Sequence, residues 1–103
     1  MSTYAKIEFD YREAINQANK LDEIAGNIRR LASNSMENTL ITLNGGWQGE
    51  TADSFIRKGR ELEEKTTKTA EDLKRAAERI RTIAKRVHDA EMAVLDIANK
   101  RSY

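Results

Sequence analysis

"NGGWQGETADSF", residues 44–55, decides how this chain folds. The one tryptophan lies here, at Trp47, beside Asn44, Gly45, Gly46, Gln48 and Gly49. Helical patterns run up to this stretch and away from it. Asparagine and glycine tolerate the left-handed backbone that closes a helix, so Asn44, Gly45 and Gly46 are expected to end one. Glu50 and Asp53 suit the positive end of the next helix dipole. The stretch reads as a turn between two helices, with the largest apolar side chain set inside it.

Upstream, Asp10 followed by Glu13 reads as a capping box, with Phe9 placed as a hydrophobic staple. Helix one is expected from about 10 to 44. Its apolar positions, among them Ala18, Leu21, Ile24, Ala25, Ile28, Leu31, Ala32, Met36, Leu40 and Leu43, recur at steps of three and four. The stripe is wide enough to meet more than one neighbouring helix. The turn occupies about 45–49. Downstream, Ala52, Phe55, Gly59, Leu62, Thr66, Thr69, Leu73, Ala76, Ile80, Ile83, Val87, Ala90, Val94 and Ile97 alternate the same steps, which is a heptad seam. It predicts one continuous helix over about 50–99, roughly 70 Å long at the α-helical rise. The tail, about 98–103, "ANKRSY", is expected to fray.

These elements predict an all-α fold: an antiparallel two-helix hairpin spanning 1–103 as one domain. Ile28, Leu31, Phe55, Leu62, Leu73, Ile80 and Val87 are the expected core of that hairpin or of its dimer. Two helices cover each other on one side only, and such a pair is rarely stable without a staple. The chain has no cysteine. Association is the remedy, so the hairpin is expected to dimerise into an elongated four-helix bundle.

Composition removes several functions. Lys plus Arg is 18 and Asp plus Glu is 17, a net charge of +1, so no strong field for nucleic acid exists and no nucleic-acid partner is expected. Without cysteine there is no disulfide and no thiolate chemistry. Without proline, long helices are permitted. No apolar run approaches the ~18 residues of a membrane span, and "MSTYAKIEFDYREA" at the start shows no apolar signal-peptide region. The single histidine, His88, stands beside Asp89 without ligand or nucleophile partners and reads as a surface or seam-flanking residue. Glu61, Glu63 and Glu64 are interleaved with Lys and Arg as on a solvated helix face. Gly45-Gly46 is followed by no Gly-Lys-Ser/Thr, so it is no phosphate loop. The basic segment 74–86, "KRAAERIRTIAKR", reads as the outer face of a coiled coil before it reads as a contact for an acidic partner or a membrane surface. No catalytic residue, cofactor site or metal site is expected, and no enzyme.

Trp47-Gln48-Gly49 also fits a W-x-G turn between two helices in a chain of about a hundred residues. Ala52 and Phe55 fall where the small and aromatic residues of that motif follow, and "IEFDYREA" (7–14) is similar to the starts of such chains. Over essentially its whole length the chain resembles the WXG family of small type VII secretion substrates, related to the early secretory antigenic target proteins. The resemblance implies a non-enzymatic protein, exported as a folded helical dimer without a cleaved signal peptide by a secretion membrane ATPase. It implies a role as substrate, co-secreted adaptor or virulence-type effector. It also implies a partner: a second copy, which is the leading expectation, a related small protein in a heterodimer, or a larger co-secreted protein of toxin type. Trp47 and Gly49 would be the secretion and turn motif.

One family feature departs. Many members carry Tyr-x-x-x-Asp/Glu after helix two, and no tyrosine stands four before an acid in this tail. Val87-x-x-x-Glu91 is the nearest spacing: either it is a degenerate export signal or a partner supplies the signal, and Val87 also sits on the seam, where it reads as core. The competing class is a cytoplasmic coiled-coil adaptor or chaperone for a larger partner. A membrane-lytic helix is disfavoured by balanced charge and by a seam already committed to a bundle. Trp47 itself has two readings. It plugs the hairpin end against Leu43 or Phe55, or it forms a recognition surface close to a partner's tail.

Overall fold

A computed structural model describes residues 3–101. Of these, 97% are helical, and no strand occurs among the described residues. Helix α1 spans Thr3–Arg30, a six-residue π-helical turn follows at Leu31–Met36, α2 spans Glu37–Gly46, and α3 spans Glu50–Arg101. The all-α hairpin is therefore the fold.

Besides the π turn that interrupts the expected first helix and the end of α2 at Gly46, the two outer boundaries differ from expectation. Helix α1 begins at Thr3 rather than near Asp10. Ile7 is the reason: it is buried, and Ile7, Tyr11, Ala14 and Ala18 carry the apolar period back past the capping signal. Tertiary burial outweighs a local cap. Asp10 pairs instead with Lys6, one turn earlier, at 2.6 Å. At the other end α3 continues through Lys100 and Arg101. Lys100 pairs with Asp96 at 3.1 Å, and cations favour the negative end of a helix dipole. The tail's Ser102 and Tyr103 lie outside the described residues.

The chain divides into two compact units. The first joins Met1–Leu21 with Arg75–Tyr103. There α1 and α3 run antiparallel, with Glu8 meeting His88 and Asn19 meeting Arg81. Ile7, Ala18 and Ala77 are its buried apolar residues. The second unit is Asp22–Lys74, holding the end of α1, the π turn, α2, the connecting turn and the start of α3. Ala25, Ala32, Leu40, Ala52 and Ala70 are buried in it. Leu40 seats against Gly59, and Glu37 binds Arg60, again antiparallel.

Of the eight buried apolar residues described, six are alanine. The inward rows fall at 11, 18, 25 and, in the π turn, 32, and at 7, 14, 21, 28 in α1; in α3 they fall at 52, 59, 66, 73, 80 and at 56, 63, 70, 77, 84. Small side chains let two helices approach closely and leave little room for large ones. Of the residues expected in the core of the hairpin or of its dimer, Ile28, Leu73 and Ile80 are half-buried on these rows, and Leu31, Phe55, Leu62 and Val87 are exposed on the single chain. A separate row of α3 in strict sevenfold steps, 55, 62, 69, 76, 83, 90 and 97, carries Phe55, Leu62, Ile83 and Ile97. On it Phe55, Leu62, Ile83 and Ile97 are each more than half exposed.

The π turn follows from the same rows. Ala18, Ala25 and Ala32 are seven apart, but the next buried residue is Leu40, eight on. One wider turn absorbs the extra residue and aims Leu40, rather than Thr39, at Gly59.

Candidate functional site

The turn is built residue by residue. Gly45 and Gly46 are the last residues of α2, and neither adopts a positive φ. The left-handed closure expected of them is corrected: Gly49 alone takes it, at φ 110°. Trp47 leaves the helix with extended backbone, φ −126° and ψ 125°, while its N–H still donates to the Leu43 carbonyl at 2.8 Å. Gly49 starts α3, its carbonyl accepting from the Asp53 N–H at 3.0 Å. Only glycine holds that φ without strain. Glu50 and Asp53 sit in the first turn of α3, at its positive end.

The indole packs on Phe55, ring centroids 5.6 Å apart and tilted by 55°, a favoured aromatic geometry. Trp47 stays 39% exposed. Both readings of this residue thus have a physical basis: it is held by Phe55, and it shows a face to solvent. Phe55 opens the exposed row of α3, so the turn and that row share a residue.

Val87 and Glu91 lie one turn apart on α3, both exposed, in the first unit. They line an apolar groove of about 280 Å³ with Ile7, Ala14, Ile80 and Ile83. Glu91 also acts electrostatically on Lys6. Val87 continues the 52–80 row by one sevenfold step, but it is exposed there.

Two charged clusters escaped sequence reasoning. In the second unit Arg60 binds Glu37 across the helices and lies 3.7 Å from Glu63. The Arg60 hydrogen bond holds Glu37 below the ordinary carboxylate range, and the hydrogen bond to Glu37 holds Glu63 above it. Oε2 of Glu63 is buried without a hydrogen-bond partner among the described residues. In the first unit His88 bridges Glu8 and Asp89. Its partner Glu8 is 80 residues away, so no local spacing could have announced the pair.

Among the described residues no group of three or more His, Cys, Asp or Glu side chains could hold a metal ion, and no helix is long and apolar enough to cross a membrane. A family profile described as proteins of 100 residues with WXG matches residues 6–92. Comparison with curated proteins and with solved structures finds no match.

Proposed function

The chain belongs to the WXG100 family, the proteins of 100 residues with WXG, and from that premise we propose that it is exported through a type VII pathway as a folded homodimer. Membership makes it a small type VII secretion substrate-like protein. The finer role we propose is that of a non-enzymatic substrate or co-secreted adaptor, presented to a secretion membrane ATPase and able to accompany a larger protein. The observation that carries the reading is the W-x-G turn itself. Gly49 is needed for the backbone, Phe55 holds the indole in place, and the remaining indole face is free to be read.

Exposed surface supports association. The chain exposes 7833 Å², against about 5,900 Å² for a folded monomer of this mass. The surplus, roughly 1,900 Å², is the scale each partner contributes to a large obligate interface. The exposed row of α3 that carries Phe55, Leu62, Ile83 and Ile97 is its natural seat, joined by Ile24 on α1 and Leu31 in the π turn. Val87 and Glu91 we assign to an export contact on the same helix, with Val87 also touching the partner chain.

The test is export from the host. Trp47→Ala and a Gly49→Ala variant should each lower supernatant protein while the purified variants remain dimers, and loss of the secretion ATPase should abolish export. Unchanged supernatant levels in both variants would sink the proposal. Retention of the wild-type chain in the cytosol would favour a chaperone.

A further inference from the structure

The lone histidine sits between two acids that come from different helices. His88 Nε2 lies 2.6 Å from Glu8 Oε1 on α1, and Nδ1 lies 3.2 Å from Asp89 Oδ1 on α3. The Tyr11 ring packs on the imidazole, centroids 4.8 Å apart, and the side chain is only 21% exposed. An ionised carboxylate can only accept a hydrogen bond, and a neutral imidazole has one N–H to give. Only the imidazolium can serve both acids. The neighbourhood holds further charge: Lys85 lies 3.0 Å from Asp89 and acts on Tyr11, Lys6 pairs with Asp10, Glu91 lies near Lys6, and Arg12 stands one turn on from Glu8.

We propose that His88 is a proton-operated latch that fastens the start of α1 to α3. Protonated, it bridges Glu8 and Asp89 and holds residues 3–14 beside α3, where Ile7 and Ala14 face Ile80, Ile83 and Val87 across the apolar groove. Deprotonated, it releases one acid and the start of α1 opens more readily. The groove edge includes Ile83 of the exposed row, so the latch bears on the surface available for association.

Charge in the cluster points the same way. The Glu8 hydrogen bond, then that of Asp89, raises the His88 pKa above its ordinary value. A raised cationic pKa gives stability that is fully present below the unfolded value, about 6.5, and lost as pH rises through the folded value. Asp89 is held below its ordinary value by Lys85 and then His88, and Lys85 is raised by Asp89. Both stay charged across that window, which leaves the imidazole as the group that changes.

The experiment is residue-resolved amide exchange on the full chain at about pH 5.5 and about pH 8.5, corrected for intrinsic rates, beside an NMR titration of His88. Opening of residues 4–14 should be at least about twofold more frequent at the higher pH in the wild type. The difference should vanish in His88→Gln and shrink in Glu8→Gln, which keeps an acceptor but loses the charge. His88 should titrate above its ordinary value. An unshifted titration, or the same pH dependence in His88→Gln, would overturn the latch. Should His88→Gln fail to fold, the titration and Glu8→Gln decide.

Discussion

A methyl group added at Gly59 tests the close approach of α2 and α3. Its Cβ would stand 2.4 Å from Leu40 Cδ2, and 3.5 Å from both Cδ1 and Cγ. Leu40 is only 5% exposed, so its side chain has little room to move aside. Overpacking of this kind costs about 1–3 kcal/mol. Alanine in mid-helix returns about 0.5–1 kcal/mol over glycine. The balance is a net loss near ~1 kcal/mol, which lowers Tm by roughly 4–8 °C in a chain of this size. Gly26 is the internal control: an alanine there meets Arg30 Nη1 at an ordinary 3.5 Å, so Gly26→Ala should stabilise by about 0.5–1 kcal/mol. The assay is urea unfolding followed by circular dichroism. In a Leu40→Ala background the sign at Gly59 should reverse, because the obstruction is gone. A Gly59→Ala chain stabilised as much as Gly26→Ala would refute the packing.

Other perturbations separate the turn from its surroundings. Gly49→Ala forces a side chain onto φ 110° and should cost about 1–3 kcal/mol in thermal unfolding. Gly45→Ala and Gly46→Ala lie in helical backbone with nothing within 4 Å, so each should stabilise, by up to about 1 kcal/mol. Deleting Ser33 removes the extra residue of the π turn and leaves a seven-residue step to Leu40; far-ultraviolet dichroism and melting should show an intact fold at equal or higher stability, and loss of the cooperative transition would count against the register. Phe55→Ala should shift Trp47 fluorescence to longer wavelength by removing the ring that covers it, and an unchanged spectrum would mean the rings are not packed in solution.

The helical arms, the turn between them and the need for glycine at Gly49 were legible because helical periodicity and glycine chemistry are local. The buried rows were legible only in part: Ala18, Ala25, Ala32, Leu40 and Ala52 stood in the expected stripes and are buried, whereas Ala70 and Ala77, selected by close helix packing, look featureless in sequence. The expected seam therefore mixed one true buried row of α3 with the exposed row beside it. The π turn leaves only a faint trace, the eight-residue step from Ala32 to Leu40. Asp10 and Glu13 imitated a helix start because a capping box can occur inside a helix when burial of Ile7 extends it. Glu8 with His88, and Glu37 with Arg60, join residues far apart in the chain, and only the fold brings them together.

The account rests most heavily on the exposed row of α3 being covered by a second copy. Sedimentation equilibrium of the purified chain measures this directly. The account predicts a mass twice the 11.7 kDa of one chain, falling to that of one chain when Leu62 and Ile83 are both changed to glutamate. A stably folded wild-type species with the mass of one chain, at micromolar concentration and above, would contradict it.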